Sequence, residues 1–140
     1  MKTLEVKVGN VIIGGDNPIV VQTMCNTHTS DVDASFEQCV RLHEAGAQLI
    51  RLTVPSPAQV ESLREIKDRL REAGIDTPLV ADVHFSSEIA IAAASVVEKV
   101  RINPGNYIDP ARKFKQIDYT DEEYQSELER LRNRFVQLLN

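Results

Sequence analysis

Polar side chains that could do chemistry recur at alternate positions of three segments that otherwise read as buried β-strands. They are Arg51 in LIRLTV (49–54), Asp82 and His84 in PLVADVH (78–84), and Arg101 and Asn103 in KVRIN (99–103). Because successive side chains of a strand point to opposite faces, the polar residues of each segment share one face. Buried charge is costly unless it is paired or contacts a ligand, so the pattern predicts a binding site.

The residue types indicate an anionic ligand. Arg51 and Arg101 suit a phosphate or diphosphate, because the planar guanidinium donates paired hydrogen bonds to phosphate oxygens. Asp82 and His84 lie two positions apart and could act as catalytic residues that orient hydroxyl groups or move protons. A structural alternative stays open, in which Arg51 and Asp82 form a buried ion pair and loop backbone satisfies His84 and Asn103.

Two loops next to these segments offer further polar atoms. The turn Asn-Pro-Gly-Asn (103–106) contains a flexible glycine and brings the Asn106 carboxamide to the rim of the predicted site. Gln22 and Asn26 offer similar groups at the end of an earlier strand-like run, IVVQTM (19–24). We therefore add Gln22, Asn26 and Asn106 to the candidate ligand-binding residues.

The four strand-like segments alternate with helical patterns, which is typical of repeated βα units. The first three helical patterns are SDVDASFEQCVRLHEAG (30–46), a stretch from Ser56-Pro57 to Gly74, and SSEIAIAAASVV (86–97). Ser56 and Gln59 predict a helix cap and its capping-box partner, with proline in the first turn. Before the first unit, LEVKVGNVIIGG (4–15) predicts a small β-hairpin.

A final helix is predicted from about Asp121 to Leu138. Thr120 and Glu123 have the spacing of a capping box at its start. Its apolar residues recur at steps of three and four and predict packing against the core: Tyr124, Leu128, Leu131, Phe135 and Leu138.

The four strands have one apolar face and one face with polar residues in phase. The apolar set is Val21, Thr23, Ile50, Leu52, Val54, Leu79, Ala81, Val83, Val100 and Ile102. The opposite set is Val20, Gln22, Met24, Leu49, Arg51, Thr53, Val80, Asp82, His84, Lys99, Arg101 and Asn103. Parallel strands covered on both faces read as continuous apolar runs, whereas a barrel interior near its C-terminal mouth carries the chemistry. The pattern therefore predicts an α/β fold, a partial (β/α)₈ barrel of about four βα units preceded by a β-hairpin.

Composition excludes several other classes of protein. The chain has 140 residues, a net charge of −5 and a pI near 5.2, which argues against a nucleic-acid-binding surface. It has no apolar run of spanning length and no signal-peptide pattern, so we expect no membrane contact and a cytoplasmic location. Cys25 and Cys39 are too far apart in sequence for a CxxC motif and predict buried small hydrophobic residues. We expect no metal site on this chain.

Several short stretches, in order and at matching intervals, resemble the N-terminal part of the 4-hydroxy-3-methylbut-2-enyl diphosphate synthases, iron-sulfur enzymes of the non-mevalonate isoprenoid pathway. They are VGNVIIGGDNPIVVQTMCNTHTSD (8–31), EAGAQLIRLTVPS (44–56), PLVADVHF (78–85) and KVRINPGNY (99–107). The tail resembles the variant of the family that carries an extra domain between barrel and iron-sulfur domain, as in Bacteroidetes, chlamydiae and plants.

The resemblance implies an oxidoreductase that opens the ring of 2-C-methyl-D-erythritol 2,4-cyclodiphosphate and removes a hydroxyl. Two electrons would arrive from ferredoxin or flavodoxin through a [4Fe-4S] cluster. By the same resemblance, Arg51 and Arg101 would hold phosphate oxygens. Asp82, His84 and Asn103 would line the substrate pocket, and Cys25 would not be a cluster ligand.

Length is the main departure from the family, because a complete barrel takes about 250 residues. We therefore expect residues 1–140 to be the N-terminal part of a substrate-binding barrel domain: residues 1–15 the hairpin, 16–107 the βα units, and 108–140 a connection and helix. The cluster ligands would lie elsewhere, so we expect the fragment to bind no cluster and to be inactive alone. Open sheet edges suggest a homodimer.

Two other functions stay open at this point. One is a different phosphate-binding barrel enzyme, such as the pterin-binding synthases, whose barrels also carry polar residues at strand ends. The other is a non-catalytic interaction module in which the charged last helix docks a partner.

Overall fold

A β-hairpin precedes a four-stranded parallel sheet with intervening helices in the computed structural model, which describes residues 3–108 and 120–139. The strands are β1 (Val6–Val8), β2 (Val11–Ile13), β3 (Gln22–Met24), β4 (Leu49–Thr53), β5 (Leu79–Asp82) and β6 (Lys99–Arg101). The helices are α1 (Val32–Glu44), α2 (Pro57–Glu72), α3 (Ser87–Ala94) and α4 (Asp121–Leu139). Strands β1 and β2 pair antiparallel, and the parallel sheet has the order β3-β4-β5-β6. The predicted elements are all present, although each strand of the sheet is shorter than its apolar segment.

Local sequence signals account for most helix ends. The Asp31 carboxylate caps α1 by accepting a hydrogen bond from the Ala34 amide at 3.1 Å. Gly46, just beyond α1, has φ +95°, a conformation that glycine adopts without strain. At α2, Ser56 is the cap residue and Pro57 the first helical residue, but the Ser56 hydroxyl contacts the Gln59 side chain and does not bond to the helix backbone. The predicted capping box is therefore incomplete there.

All three crossover helices pack on the same face of the sheet. The strands contribute their predicted apolar positions, including Ile50, Leu52, Leu79 and Ala81, all at most 1% exposed. The helices bury Cys39 of α1, the row Val60, Leu63, Ile66 and Leu70 of α2, and Ile89, Ala90 and Ala93 of α3 in the same cluster. Sequential strand order with helices on one face is the arrangement of a barrel wall. A doubly wound sheet has helices on both faces.

The hairpin covers the lower part of the opposite face. Val8 of β1 forms a second apolar cluster with Leu49 and Val80, and Val11, Ile13 and Val20 pack against it. Gly9, with φ +58°, lets the turn approach the sheet, since an added Cβ would lie 2.9 Å from Pro78 Cγ. The hairpin thus covers the apolar residues of the inward face, Leu49 and Val80, next to the positions of the predicted polar residues.

Helix α4 packs only partly on the rest of the chain. The Thr120–Glu123 capping box is confirmed: the Thr120 amide donates to Glu123 Oε2 at 2.9 Å and the Glu123 amide to Thr120 Oγ1 at 3.3 Å. Leu131 and Leu138 pack against the core, whereas Tyr124 is 54% exposed. The expectation that the whole stripe packs on the core is therefore wrong for its first turns. Most of the predicted connection, residues 109–119, lies outside the described residues.

Within the described ranges, no helix is both long enough and apolar enough to cross a bilayer.

Candidate active site

Strand register brings the predicted polar residues onto one face of the sheet, in two layers. Met24 is paired with Arg51, Arg51 with Val80, and Val80 with Lys99. One layer nearer the carboxyl ends, Thr53 is paired with Asp82 and Asp82 with Arg101. Because paired residues in a sheet point to the same side, the predicted in-phase lining is confirmed for β4, β5 and β6.

Asp82 is the centre of this group. Its side chain is 5% exposed, and its Oδ1 lies 3.0 Å from Arg101 Nη1 while its Oδ2 lies 3.5 Å from Arg51 Nε. The two arginines come from β4 and β6, with β5 between them, so they do not occupy neighbouring strands. Asp82 therefore holds the two guanidinium groups on either side of one carboxylate.

Arg51 keeps unused hydrogen-bonding capacity. Its Nη2 donates at 3.2 Å to Met24 Sδ. A thioether sulfur is a weak acceptor. Its Nε is buried and has no hydrogen-bond partner within the described residues, since its approach to Asp82 does not have the geometry of a hydrogen bond. A guanidinium with an unsatisfied buried donor is suited to bind an anionic ligand as well.

His84 contacts the same arginine through one ring nitrogen. Its Nε2 lies 2.8 Å from Arg101 Nη1 and 3.4 Å from Asp82 Oδ1. A guanidinium only donates, so Nε2 must be the acceptor and the ring proton must lie on Nδ1. In this arrangement the Nδ1–H of His84 is a hydrogen-bond donor.

The charges in the group do not cancel. Two guanidinium groups face one carboxylate, which leaves one excess positive charge. The Arg51 and Arg101 side chains are 29% and 40% exposed, while that of Asp82 is 5% exposed. The ion pair between Arg51 and Asp82, which the sequence left open as a structural alternative, is thus present, and it still leaves cationic groups open on the inward face.

The Asn-Pro-Gly-Asn turn forms a short 3₁₀ segment, Pro104–Asn106. Asn103 is exposed, and its Oδ1 accepts a hydrogen bond from the Gly105 amide at 3.1 Å, so its amide nitrogen remains available. Asn106 is only 8% exposed, not open at the rim as expected, and its Oδ1 has no partner within residues 3–108 and 120–139. The turn thus buries the second asparagine next to Tyr107, which is 2% exposed and belongs to the core cluster.

Gln22 and Asn26 lie apart from the Asp82 group. Gln22 is paired with Leu49, one layer below Arg51, and lines a cavity with hairpin residues such as Ile13. Asn26 is hydrogen-bonded to Gln38 of α1. Its side-chain Oδ1 accepts from Gln38 Nε2 at 2.8 Å, and its backbone amide donates to Gln38 Oε1 at 3.1 Å. The structure therefore does not bring these two candidates together with the arginines.

One side of the group has an apolar wall that the sequence did not indicate. A cavity of about 280 Å³ is lined by Thr53, Val54, Pro55, Asp82, His84 and Phe85. Phe85 has φ +60°, the only positive φ of a non-glycine residue in the part of the chain that the structure describes. Such strained residues cluster at functional sites. Phe85 directly follows His84 in the sequence, but a phenylalanine gives no sign of a left-handed backbone.

The side chains of the described residues do not form a metal centre. Within the described ranges, no group of three or more His, Cys, Asp or Glu side chains could hold a metal ion. Cys25 and Cys39 lie on the helix-covered side, in the apolar cluster, so they do not face the Asp82 group. These residues do not fit an iron-sulfur cluster.

The geometry is that of a barrel wall with a cationic site at the carboxyl ends of its strands. The model of the GcpE TIM-barrel domain matches residues 3–129, which is most of the chain. The chain belongs to the GcpE TIM-barrel family. The β-hairpin and strands β3 to β6, with the helices between them, lie within the matched residues.

Relatives with curated names agree with the family. The chain is 52% identical over 139 residues to a 4-hydroxy-3-methylbut-2-en-1-yl diphosphate synthase (flavodoxin) of Bacteroides fragilis, covering 99% of the chain and 22% of the relative. It is 52% identical over 137 residues to a synthase of the same name from Chlorobaculum tepidum, covering 98% of the chain and 18% of the relative. The chain thus spans about a fifth of the length of these relatives, as the expected fragment would.

Solved structures similar to the chain show the same architecture. A phospho-2-dehydro-3-deoxyheptonate aldolase from Thermotoga maritima matches with a TM-score of 0.55 and 18% identity, covering 75% of the chain and 31% of the aldolase. A dihydropteroate synthase from Xanthomonas albilineans matches with a TM-score of 0.53 and 22% identity, covering 97% of the chain and 60% of the synthase. At these identities the likeness shows the fold alone.

Proposed function

We propose that this chain is the diphosphate-binding part of a 4-hydroxy-3-methylbut-2-en-1-yl diphosphate synthase. The whole enzyme would open the ring of 2-C-methyl-D-erythritol 2,4-cyclodiphosphate and remove a hydroxyl. The observation that carries the proposal is the pair of guanidinium groups on either side of Asp82, with one excess positive charge. This pair occurs in a chain about half identical to relatives of that name.

Arg51 and Arg101 are the proposed ligands of the diphosphate. Both have donors left over after their contacts with Asp82, and phosphate oxygens accept charge-assisted hydrogen bonds from such groups. Asp82 is buried between them, so its proposed role is to fix their spacing before the ligand arrives. A preoriented pair loses less conformational freedom on binding than two mobile arginines.

His84 and Asn103 are proposed to contact the same ligand from the carboxyl-end side. The Nδ1–H of His84 can donate to an ester or hydroxyl oxygen of the substrate and can supply a proton to a departing oxygen. The Asn103 amide nitrogen can donate as well, because only its oxygen is used in the turn. Asp82 would then support catalysis by holding Arg101, which in turn fixes the His84 ring.

Electron transfer is proposed to depend on the rest of the enzyme. The names of the relatives specify flavodoxin, and we extend that donor, with ferredoxin as the other candidate, to the whole protein. The [4Fe-4S] cluster implied by the family would supply two electrons for the reductive step. Because the described residues do not fit a cluster, we expect this chain to bind substrate without turning it over. A cytoplasmic location and a homodimer remain predictions.

The two other functions have less support. A pterin-binding synthase shares the barrel, but its likeness to this chain lies in the fold alone, at 22% identity. An interaction module based on α4 would leave the inward arginines without a role. Both functions have less support than that of a diphosphate synthase, because relatives of that name are about 50% identical to the chain.

The test is a calorimetric titration of the chain with 2-C-methyl-D-erythritol 2,4-cyclodiphosphate, 7,8-dihydropteroate and inorganic pyrophosphate. We expect saturable binding of the cyclodiphosphate, competition by pyrophosphate and no binding of 7,8-dihydropteroate. Binding of 7,8-dihydropteroate alone would favour the pterin synthases. A parallel assay with reduced flavodoxin should yield no product from this chain, and product formation would overturn the expectation of inactivity.

A further inference from the structure

Two cysteines that are distant in sequence lie side by side in the core. Cys25 directly follows β3 and Cys39 lies in α1, and their Sγ atoms are 3.6 Å apart. Cys25 is 6% exposed and Cys39 is fully buried, and both are free thiols. A disulfide has an S–S distance of about 2.05 Å, so closing the pair needs a movement of about 1.5 Å.

We propose that Cys25 and Cys39 form a site of reversible oxidative modification that closes to an intrachain disulfide by exchange with a low-molecular-weight disulfide such as oxidised glutathione. The proposal does not rest on the proposed function. It rests on the contact of the two sulfurs and on the different access that solvent has to each.

Only one of the two cysteines borders a surface cavity. Cys25 contributes to the lining of a surface cavity of about 390 Å³, together with Asn26, Thr27, His28 and Gln59. Cys39, in α1, does not line this cavity and is fully buried. Cys25 is therefore the attacking thiol and Cys39 the resolving thiol.

The hydrogen bond between the thiols supports this order. The pKa of Cys25 is lowered because the Cys39 thiol can donate a hydrogen bond to it, an effect larger than the opposing effect of burial. The pKa of Cys39 is raised by the same hydrogen bond and by burial. The thiolate is the nucleophile in disulfide exchange, so the sulfur with the lower pKa and the better access reacts first.

Thiol–disulfide exchange with oxidised glutathione takes place in two steps. The Cys25 thiolate attacks one sulfur of oxidised glutathione, the glutathione S–S bond breaks, and one glutathione leaves and takes up a proton. Cys39 then loses its proton and attacks Cys25 Sγ, which expels the second glutathione. The protein dithiol is oxidised by two electrons, and one glutathione disulfide is reduced to two glutathione thiols.

The disulfide would form next to the cationic group. The Cys25 amide donates to the Arg51 carbonyl at 2.9 Å, and the preceding residue, Met24, accepts from Arg51 Nη2. A shift of Cys25 toward α1 therefore acts on the end of β3 that contacts Arg51.

The experiment treats the native chain with oxidised glutathione, quenches with acid, alkylates the free thiols and maps the peptides by mass spectrometry. Trypsin leaves both cysteines in one peptide, residues 8–41, so a second cleavage after Glu37 is needed to separate them. We expect residues 8–37 and 38–41 to remain joined, two hydrogen atoms lighter than the two reduced peptides, and to separate after treatment with dithiothreitol.

Two variants test the order of attack, with circular dichroism as the check on folding. Cys39→Ser should accumulate glutathione on Cys25, whereas Cys25→Ser should leave Cys39 unmodified on the same time scale. Retention of two free thiols in the native wild-type chain would overturn the proposal, and so would a stable glutathione adduct on wild-type Cys25 or a disulfide that forms only in urea. If a variant does not fold, the wild-type result decides alone.

Discussion

Arg101 joins His84 to Asp82: its Nη1 atom lies 2.8 Å from His84 Nε2 and 3.0 Å from Asp82 Oδ1. One guanidinium nitrogen thus reaches both of the residues that the sequence proposed as catalytic. Because this nitrogen can only donate, it also fixes which ring nitrogen of His84 carries the proton.

The first prediction concerns this tautomer. In the ligand-free chain at pH 8, His84 should carry its proton on Nδ1, which long-range ¹H–¹⁵N correlation spectra of the imidazole rings report directly. Arg101→Ala removes the donor and should allow the more common tautomer, with the proton on Nε2. His43, which contacts Thr77 Oγ1 through Nδ1 at 2.7 Å, serves as an unaffected reference ring. A wild-type His84 protonated on Nε2 would contradict the assignment.

The second prediction concerns the strained backbone of Phe85. Phe85→Gly and Phe85→Ala both remove the ring, but only glycine relieves the positive φ of 60°. The glycine variant should therefore be the more stable of the two by about 1 kcal/mol. Urea unfolding measures the difference. Exposed Ala92 in α3 is the matched control, because Ala92→Gly should destabilise the chain by about 1 kcal/mol. An alanine variant as stable as the glycine variant would argue against strain at Phe85.

Glu98 links α2 to the sheet at the amino ends of β5 and β6. Its Oε1 lies 2.9 Å from Lys67 Nζ and 3.1 Å from Arg71 Nη2, and its Oε2 accepts from the Leu79 amide at 2.9 Å. Burial alone would raise the pKa of Glu98, but the hydrogen bonds from Lys67 and Leu79 outweigh it, so the pKa lies below its ordinary value. Folding therefore favours the ionised carboxylate.

The third prediction is that Glu98 stabilises the fold in a pH-dependent way. A lowered folded pKa gives stability that is present above the unfolded pKa of about 4.3 and is lost as the pH falls through the folded pKa. Glu98→Gln should cost about 1 to 2 kcal/mol at pH 7 in urea unfolding, and the cost should shrink below about pH 4.

A second carboxylate is the control for Glu98. Glu65→Gln breaks a pair with Arg69 on the exposed surface of α2 and should cost less than about 0.5 kcal/mol at either pH. A cost for Glu98→Gln that is the same at both pH values would show that the carboxylate charge is not the stabilising feature.

The sequence predicted the elements and the inward face because both follow from periodicity. Alternation in LIRLTV and PLVADVH placed Arg51 and Asp82 on the face opposite Ile50 and Ala81, and the strand register has them there. Since side chains alternate between the two faces of a strand, the face of each side chain follows once the segment is correctly predicted as a strand.

Features that depend on tertiary packing could not be predicted in this way. Hairpin residues such as Val8 cover Leu49 and Val80 on the inward face, a contact between segments that are distant in sequence. The pairing of Asp82 with both arginines depends on side-chain conformations, and the contact between Cys25 and Cys39 depends on how α1 packs against β3. None of these relationships has a local signal in the sequence.

The central claim is that Arg51 and Arg101 together bind a diphosphate, and calorimetric titration of three variants with 2-C-methyl-D-erythritol 2,4-cyclodiphosphate tests it most directly. Arg51→Ala and Arg101→Ala should each weaken binding at least about tenfold, because each loses charge-assisted hydrogen bonds worth about 1.5 to 3 kcal/mol. Arg64→Ala, on the exposed side of α2, removes the same charge away from the site and should leave the affinity unchanged. Equal affinities for the wild-type chain and both inward-facing variants would contradict the claim.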